Sequence, residues 1–211
     1  MHGSWVWLAT LATVVVLVGY EFVLATVQRH KPDRVARSAH AALREEWFTA
    51  VSAHPGSEIL AVQTLRNSLM SATMTASTAV LGLLGTITLA APSLNASLIE
   101  VAQSHSVTPR LMLELLLITL LFASLVCSAM AVRYYNHVGF ISGMPVGSEA
   151  RQRWASTGLA YVRRAGVLYS WGLRHLVLVA PILACLLHPF AGPVAALLVV
   201  VALSRFDRVG A

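Results

Sequence analysis

The chain has 211 residues, 57% of them hydrophobic and 11% charged, with a formal net charge of +6. Ordinary soluble domains carry roughly 25% charged residues, so a water-soluble globule built from this chain would lack the side chains to cover its surface, whereas lipid accepts apolar ones. The positive charge is mostly arginine beside apolar runs, which points to anionic lipid headgroups, and the lack of a groove-reading motif excludes nucleic acid.

A helix needs about 20 mainly apolar residues to span hydrocarbon. Residues 5–26 supply a first span, opened by Trp5 and Trp7 at an interface. No basic run precedes it and no small-x-small cleavage site follows, so a retained helix is expected in place of a signal peptide. An inside segment, 33–67, comes next. In it Val35, Ala39, Leu43, Trp47 and Val51 recur every fourth residue as the apolar stripe of an amphipathic helix. Residues 69–91 form the second span, expected to stop at Pro92 and the Ser93–Leu94–Asn95 turn, and 111–132 form the third.

A second inside segment, 133–166, carries Ser148 as a helix cap, Glu149 and Arg153 as an i,i+4 pair, and Trp154, Tyr161 and Ala165 as an apolar face, with Gly158 on that face for close packing. Both inside helices are expected to lie on the membrane surface or to extend the spans into a cytoplasmic layer. Residues 167–187 form the fourth span, with Pro181 inside it. Residues 189–204 form a short fifth span or a re-entrant arm, and the distribution of basic residues favours the span. Cys127 and Cys185 lie within apolar runs and are expected to be small buried hydrophobes.

The fold class is thus a single all-α integral membrane domain, a bundle of five transmembrane helices with two amphipathic cytoplasmic segments. All of the 15 basic residues but Arg110 fall on one side of this arrangement. The positive-inside rule then sets the N-terminus outside and the C-terminus inside, as five crossings require, in a bacterial inner membrane.

Charge inside a bilayer costs about 2.5–3.5 kcal/mol per residue on insertion scales, so each intramembrane ion needs a partner or a purpose. Gln63, Arg66 and Asn67 share one helix face before span two, and Arg133, Asn136 and His137 share another after span three. Arg174 and His175 lie in span four. Glu21 is the sole acid in the inner half of a span and is expected to pair with Arg174, or failing that with Arg66 or Arg133. Arg66, Arg133 and Arg174 are expected to converge on an inward-facing basic pocket, with Gln63, Asn67, Asn136 and His137 among its ligand-binding residues. In span two, Ser71, Thr75, Thr78, Gly82 and Gly85 form a small-residue stripe for helix packing within or between subunits.

The run Ile59–Leu60–Ala61–Val62–Gln63–Thr64–Leu65–Arg66–Asn67–Ser68 resembles the signature of an uncharacterised membrane-protein family of bacteria and plants, domain of unknown function five-nine-nine. Arg133–Tyr134–Tyr135–Asn136–His137–Val138–Gly139–Phe140 is similar to its second landmark, and Gly172, Arg174, Pro181, Pro193 and Asp207 resemble its C-terminal pattern. The resemblance covers residues 20–207 and implies a multi-pass helical fold, with no established activity.

Zinc, nucleophile-elbow, redox-pair, phosphate-loop and dinucleotide motifs are all missing from the sequence. No enzyme activity, catalytic residue, metal or cofactor is expected; haem held by His137 and His175 is a minor alternative. The expected function is an oligomeric channel or transporter-like protein whose basic pocket binds an anion or anionic lipid headgroup. The alternative is an accessory or scaffold subunit of a larger membrane complex. Expected partners are membrane lipids and either further copies of the chain or other membrane subunits.

Overall fold

A computed structural model describes residues 2–30, 36–104 and 107–207, with side chains from residue 4 onward except at 97–104. Six helices follow in order: α1 (His2–His30), α2 (Ala36–Ala53), α3 (Glu58–Ser104), α4 (Pro109–Gly143), α5 (Glu149–Leu187) and α6 (Ala191–Phe206). No strand occurs among the described residues. Four helices, α1, α3, α4 and α5, are long and apolar enough to cross a membrane.

Helix length determines the layering. At about 1.5 Å per residue, α3, α4 and α5 run roughly 50–70 Å, well beyond the ~30 Å of hydrocarbon. Two cores therefore stack along them. One joins α1, α4, α5 and α6 through Leu17, Leu117, Leu121, Ile182 and Ala196. The other joins α2 to the basic ends of α3, α4 and α5 through Phe48, Leu65, Tyr135, Ile141 and Val162. The inside segments thus extend the spans into a helical layer: 58–67, 133–143 and 149–166 continue α3, α4 and α5, and only α2 is a separate element.

Local chemistry fixes the helix ends. Thr108 caps α4, its side chain accepting from the Leu111 N–H at 3.2 Å, and Pro109 fits the first turn because its missing N–H has no helical partner to lose. Ser148 caps α5 in the same way at 3.3 Å. Gly56 and Gly147 adopt φ of 87° and 86°, the left-handed region that favours glycine, in the α2–α3 and α4–α5 turns. These turns are tied together where the Val146 N–H donates to Glu58 Oε1 at 2.8 Å. Arg151, 3% exposed, closes the end of α4 by donating to the carbonyls of Ser142 at 3.0 Å and Met144 at 2.6 Å.

Three local expectations differ from the structure. Pro92 does not stop span two: α3 runs through it to Ser104, and Ser93 Oγ bonds back to the Ala90 carbonyl at 2.9 Å. A proline removes one ladder bond, which neighbouring groups can offset. The four-residue stripe of α2 faces its neighbours only in part, with Trp47 packed against the second core. Steps of four residues advance about 400°, so the stripe drifts about 40° each time. Ala36, Arg37, Ala41 and Phe48 are buried, and Leu43 is 61% exposed. On α5 the buried line is Arg151, Gly158, Val162 and Ala165; Trp154 is half exposed and Glu149 makes no ion pair with Arg153. Val35, with Lys31, Arg34 and Arg208 of the basic set, lies outside the described residues.

Candidate functional site

The polar residues of α1, α5 and α6 meet where α6 ends. Arg174 has a side chain only 5% exposed, and its Nε donates to Glu21 Oε1 at 2.5 Å. Its Nη1 donates to Asp207 Oδ2 at 2.8 Å and Oδ1 at 3.1 Å. The Tyr20 hydroxyl donates to Asp207 Oδ2 at 2.6 Å, and the Arg174 guanidinium lies 5.3 Å from the Tyr20 ring centre. Asp207 follows the C-terminus of α6, where the helix dipole disfavours an anion; Arg174 offsets that.

The start of α2 closes over this cluster. The Ala36 N–H donates to the Asp207 carbonyl at 3.0 Å. Arg37 stacks over the Trp171 ring at 4.2 Å, and its Nη1 reaches Gln28 Oε1 at 3.4 Å. Burial, and then repulsion from Arg174, holds the Arg37 pKa below its ordinary value. Two guanidinium groups and two carboxylates share the cluster, so its formal charge balances. An anion gains little there, because Arg174 already meets two acids.

The remaining candidates lie elsewhere. Gln63, Arg66 and Asn67 are exposed on α3, and Arg133, Asn136 and His137 are exposed on α4. The structure does not bring Arg66 or Arg133 to Arg174: α3 packs mainly on α4, away from Arg174, and the alignment of Ser124 with Gly172 leaves Arg133 about 16 Å along the helix axes from Arg174. Close contacts of Val62 with Gly143 and of Gly82 with Leu121 fix α3 antiparallel to α4. In the small-residue stripe, Thr75 is buried and Gly82 borders α4, but Ser71, Thr78 and Gly85 face away from the bundle.

The two histidines are far apart. His137 sits 5.9 Å from the Tyr161 ring, and His175 stacks on Trp171 at 5.6 Å. The bond from Ser124 Oγ to the Gly172 carbonyl, 2.7 Å, aligns α4 with α5 and leaves these histidines about 24 Å apart along the helix axes. They cannot share one haem. Among the described residues no group of three His, Cys, Asp or Glu side chains could hold a metal ion.

Two further features were not anticipated. At the opposite end, Glu114, its side chain 4% exposed, accepts from Arg110 Nε and from Ser93 Oγ, each at 2.9 Å. At the basic end, an open cleft of about 560 Å³ is lined by Glu45, Tyr134, Ser156, Arg163 and Arg164 among others. Arg163 Nε pairs with Glu45 Oε1 there at 3.3 Å. Asp207 had been visible only through the family pattern. The adjacent pair Arg163–Arg164 is the sequence signal for the cleft.

Residues 8–211 match the family described as Protein of unknown function, DUF599. No curated protein and no solved structure matches the chain.

Proposed function

We propose that this chain, which belongs to the DUF599 family of unknown function, is a non-enzymatic multi-pass protein of a bacterial inner membrane that assembles on itself through α3 into a channel or transporter-like oligomer. In this reading the chain crosses five times, with its N-terminus outside, and draws small anions or anionic headgroups to the basic end.

The free face of α3 carries the proposal. This 47-residue helix packs almost wholly on α4. Gln63, Asn67, Ser71, Met74, Thr78, Leu81 and Gly85 follow one another at steps of three or four residues, on one face, and all are exposed. The Ser71 hydroxyl donates to the Asn67 carbonyl at 3.0 Å and that of Thr78 to the Met74 carbonyl at 2.9 Å, so neither is an unsatisfied donor in lipid. Small and hydroxyl side chains let helices approach closely in a membrane, and a ring of such faces would enclose a polar line. Exposed Arg66, Arg133 and Arg164 supply cations that no described acid neutralises.

The test combines mass and flux. Protein extracted in mild detergent is weighed by native mass spectrometry and then reconstituted into vesicles containing an iodide-sensitive dye. The expected result is an integral multiple of the chain mass and iodide entry, both lost in Ser71→Leu/Gly85→Leu. Stoichiometric foreign subunits would instead favour the scaffold reading, and a monomer without flux would reject self-assembly.

A further inference from the structure

A second cavity, of about 460 Å³, lies between α1, α4 and α5 at the level of the apolar spans. Its size falls within the roughly 300–1,000 Å³ of small-molecule sites. Its lining is graded along the helix axes. Leu17, Leu116 and Leu178 form the deeper part, and Glu21, Trp171 and His175 mark the end toward the basic side of the bundle. From Val14 to Ala25 the cavity follows α1 for about 16 Å. This polarity matches the way a lipid of the adjacent leaflet stands, with its head toward the near surface and its chain toward the midplane.

We propose that the cavity binds a neutral, hydroxyl-headed lipophile, with its chain among the leucines and its hydroxyl groups between Glu21 and His175. Two polar groups of the lining itself have capacity left. The Nδ1 atom of His175 is buried and meets no hydrogen-bond partner among the described residues. Glu21 gives one oxygen to Arg174 and keeps a side chain 26% exposed. A buried polar atom without a partner is costly, and a hydroxyl can both donate to the carboxylate and complete the imidazole. An anionic head is disfavoured because the nearest acid is Glu21 and Arg174 is already engaged by two carboxylates. A cationic head gains little, because Arg174 already balances Glu21. Bulk lipid is the available source of chain, and an empty apolar void would forfeit its dispersion contacts.

Trp171 provides the readout. In a variant keeping Trp171 alone (Trp5, Trp7, Trp47 and Trp154 each →Phe), fluorescence is followed while vesicles receive 1-monoacylglycerol brominated in the upper part of its chain. Phosphatidylcholine and free fatty acid with the same chain serve as comparators. Saturable quenching by the monoacylglycerol alone is expected. Ala25→Phe, which adds bulk at an exposed lining position of α1, should abolish saturation. His175→Phe keeps the ring stack and removes the hydrogen-bonding atoms, and should weaken binding roughly threefold to tenfold, the equivalent of one hydrogen bond. Equal quenching by phosphatidylcholine, tighter binding of the fatty acid, or indifference to both substitutions would overturn the assignment. If the four-phenylalanine variant fails to fold, native mass spectrometry of the unmodified chain decides. A monoacylglycerol adduct that disappears in Ala25→Phe supports the site, and no adduct overturns it. Subunit number and iodide entry do not enter either readout.

Discussion

Replacing Arg174 with methionine tests whether the ion cluster holds the bundle together. The substitution keeps an unbranched stem and removes the cation. It deletes three hydrogen bonds, one to Glu21 and two to Asp207, and leaves two carboxylates at 26% and 18% side-chain exposure with no cation between them. Removing one partner of a buried ion pair costs about 3–5 kcal/mol, mostly through the charge left behind. The triple variant Glu21→Gln/Arg174→Met/Asp207→Asn removes both stranded carboxylates and leaves Arg37, stacked on Trp171, as the one charge of the cluster. It should recover most of the loss, because buried ion sets and neutral replacements are close to balanced. Unfolding by sodium dodecyl sulfate in mixed micelles, followed by tryptophan fluorescence and by helical circular dichroism, measures all three proteins. Coincident transitions justify the free-energy comparison. A single variant within about 1 kcal/mol of the parent, the value of an ordinary exposed pair, would refute the reasoning. So would a triple variant no more stable than the single.

Three other outcomes follow from the same geometry. Gly158→Ala would place a Cβ inside contact distance of the Phe48 ring, which is 2% exposed and cannot swing away, so a loss of about 1–3 kcal/mol is expected in detergent unfolding, partly restored by Phe48→Leu. The Val146 N–H, followed by the N–H groups of Glu58 itself and of Gly56 in the turn, holds the Glu58 carboxyl below its ordinary value of about 4.3. A depressed carboxyl stabilises fully above its unfolded value and loses that contribution as pH falls through the folded one, so exchange of the Val146 amide, corrected for its intrinsic rate, should accelerate below about pH 4 and be insensitive to acid in Glu58→Gln. Reporters fused after residue 211 should be active only in the cytoplasm if the chain crosses five times. Periplasmic activity would mean that α6 turns back.

The spans were legible because long apolar runs leave little choice of environment: α1, α3, α4 and α5 each contain one of them. Capping at Ser148 was legible for a similar reason, since one hydroxyl before a helix has few other roles. Faces were harder to read. The period-four stripe of α2 resembled an amphipathic face, but the true face is set by Phe48 entering the space left at Gly158, a pairing 110 positions apart in sequence that no local pattern encodes. The position of Arg66 and Arg133 followed from which side of α4 receives α3, and helical spacing is silent on that choice. Asp207 stands beyond the last apolar run and no local pattern gives its role, because its partner lies on α5 and its carbonyl's partner is the first turn of α2.

The short length of α6 and the place of the ion cluster explain each other. Sixteen residues rise about 24 Å, less than the hydrocarbon thickness of roughly 30 Å. On the proposed five-crossing reading, a helix that starts at α5's far end and runs back along it must therefore end inside the apolar layer, near Arg174, seven residues past the start of span four or about 10 Å within it. Its last carbonyls and the Asp207 carboxylate would be stranded in lipid. Instead, Arg174 and Tyr20 take the carboxylate and the Ala36 N–H takes the Asp207 carbonyl. The deepest arginine of the chain thus works as the terminator of a short helix. That use of Arg174 commits its charge to Glu21 and Asp207, and it moves the search for function to the surfaces the bundle leaves open: the free face of α3, the arginine-lined cleft and the graded cavity beside α1.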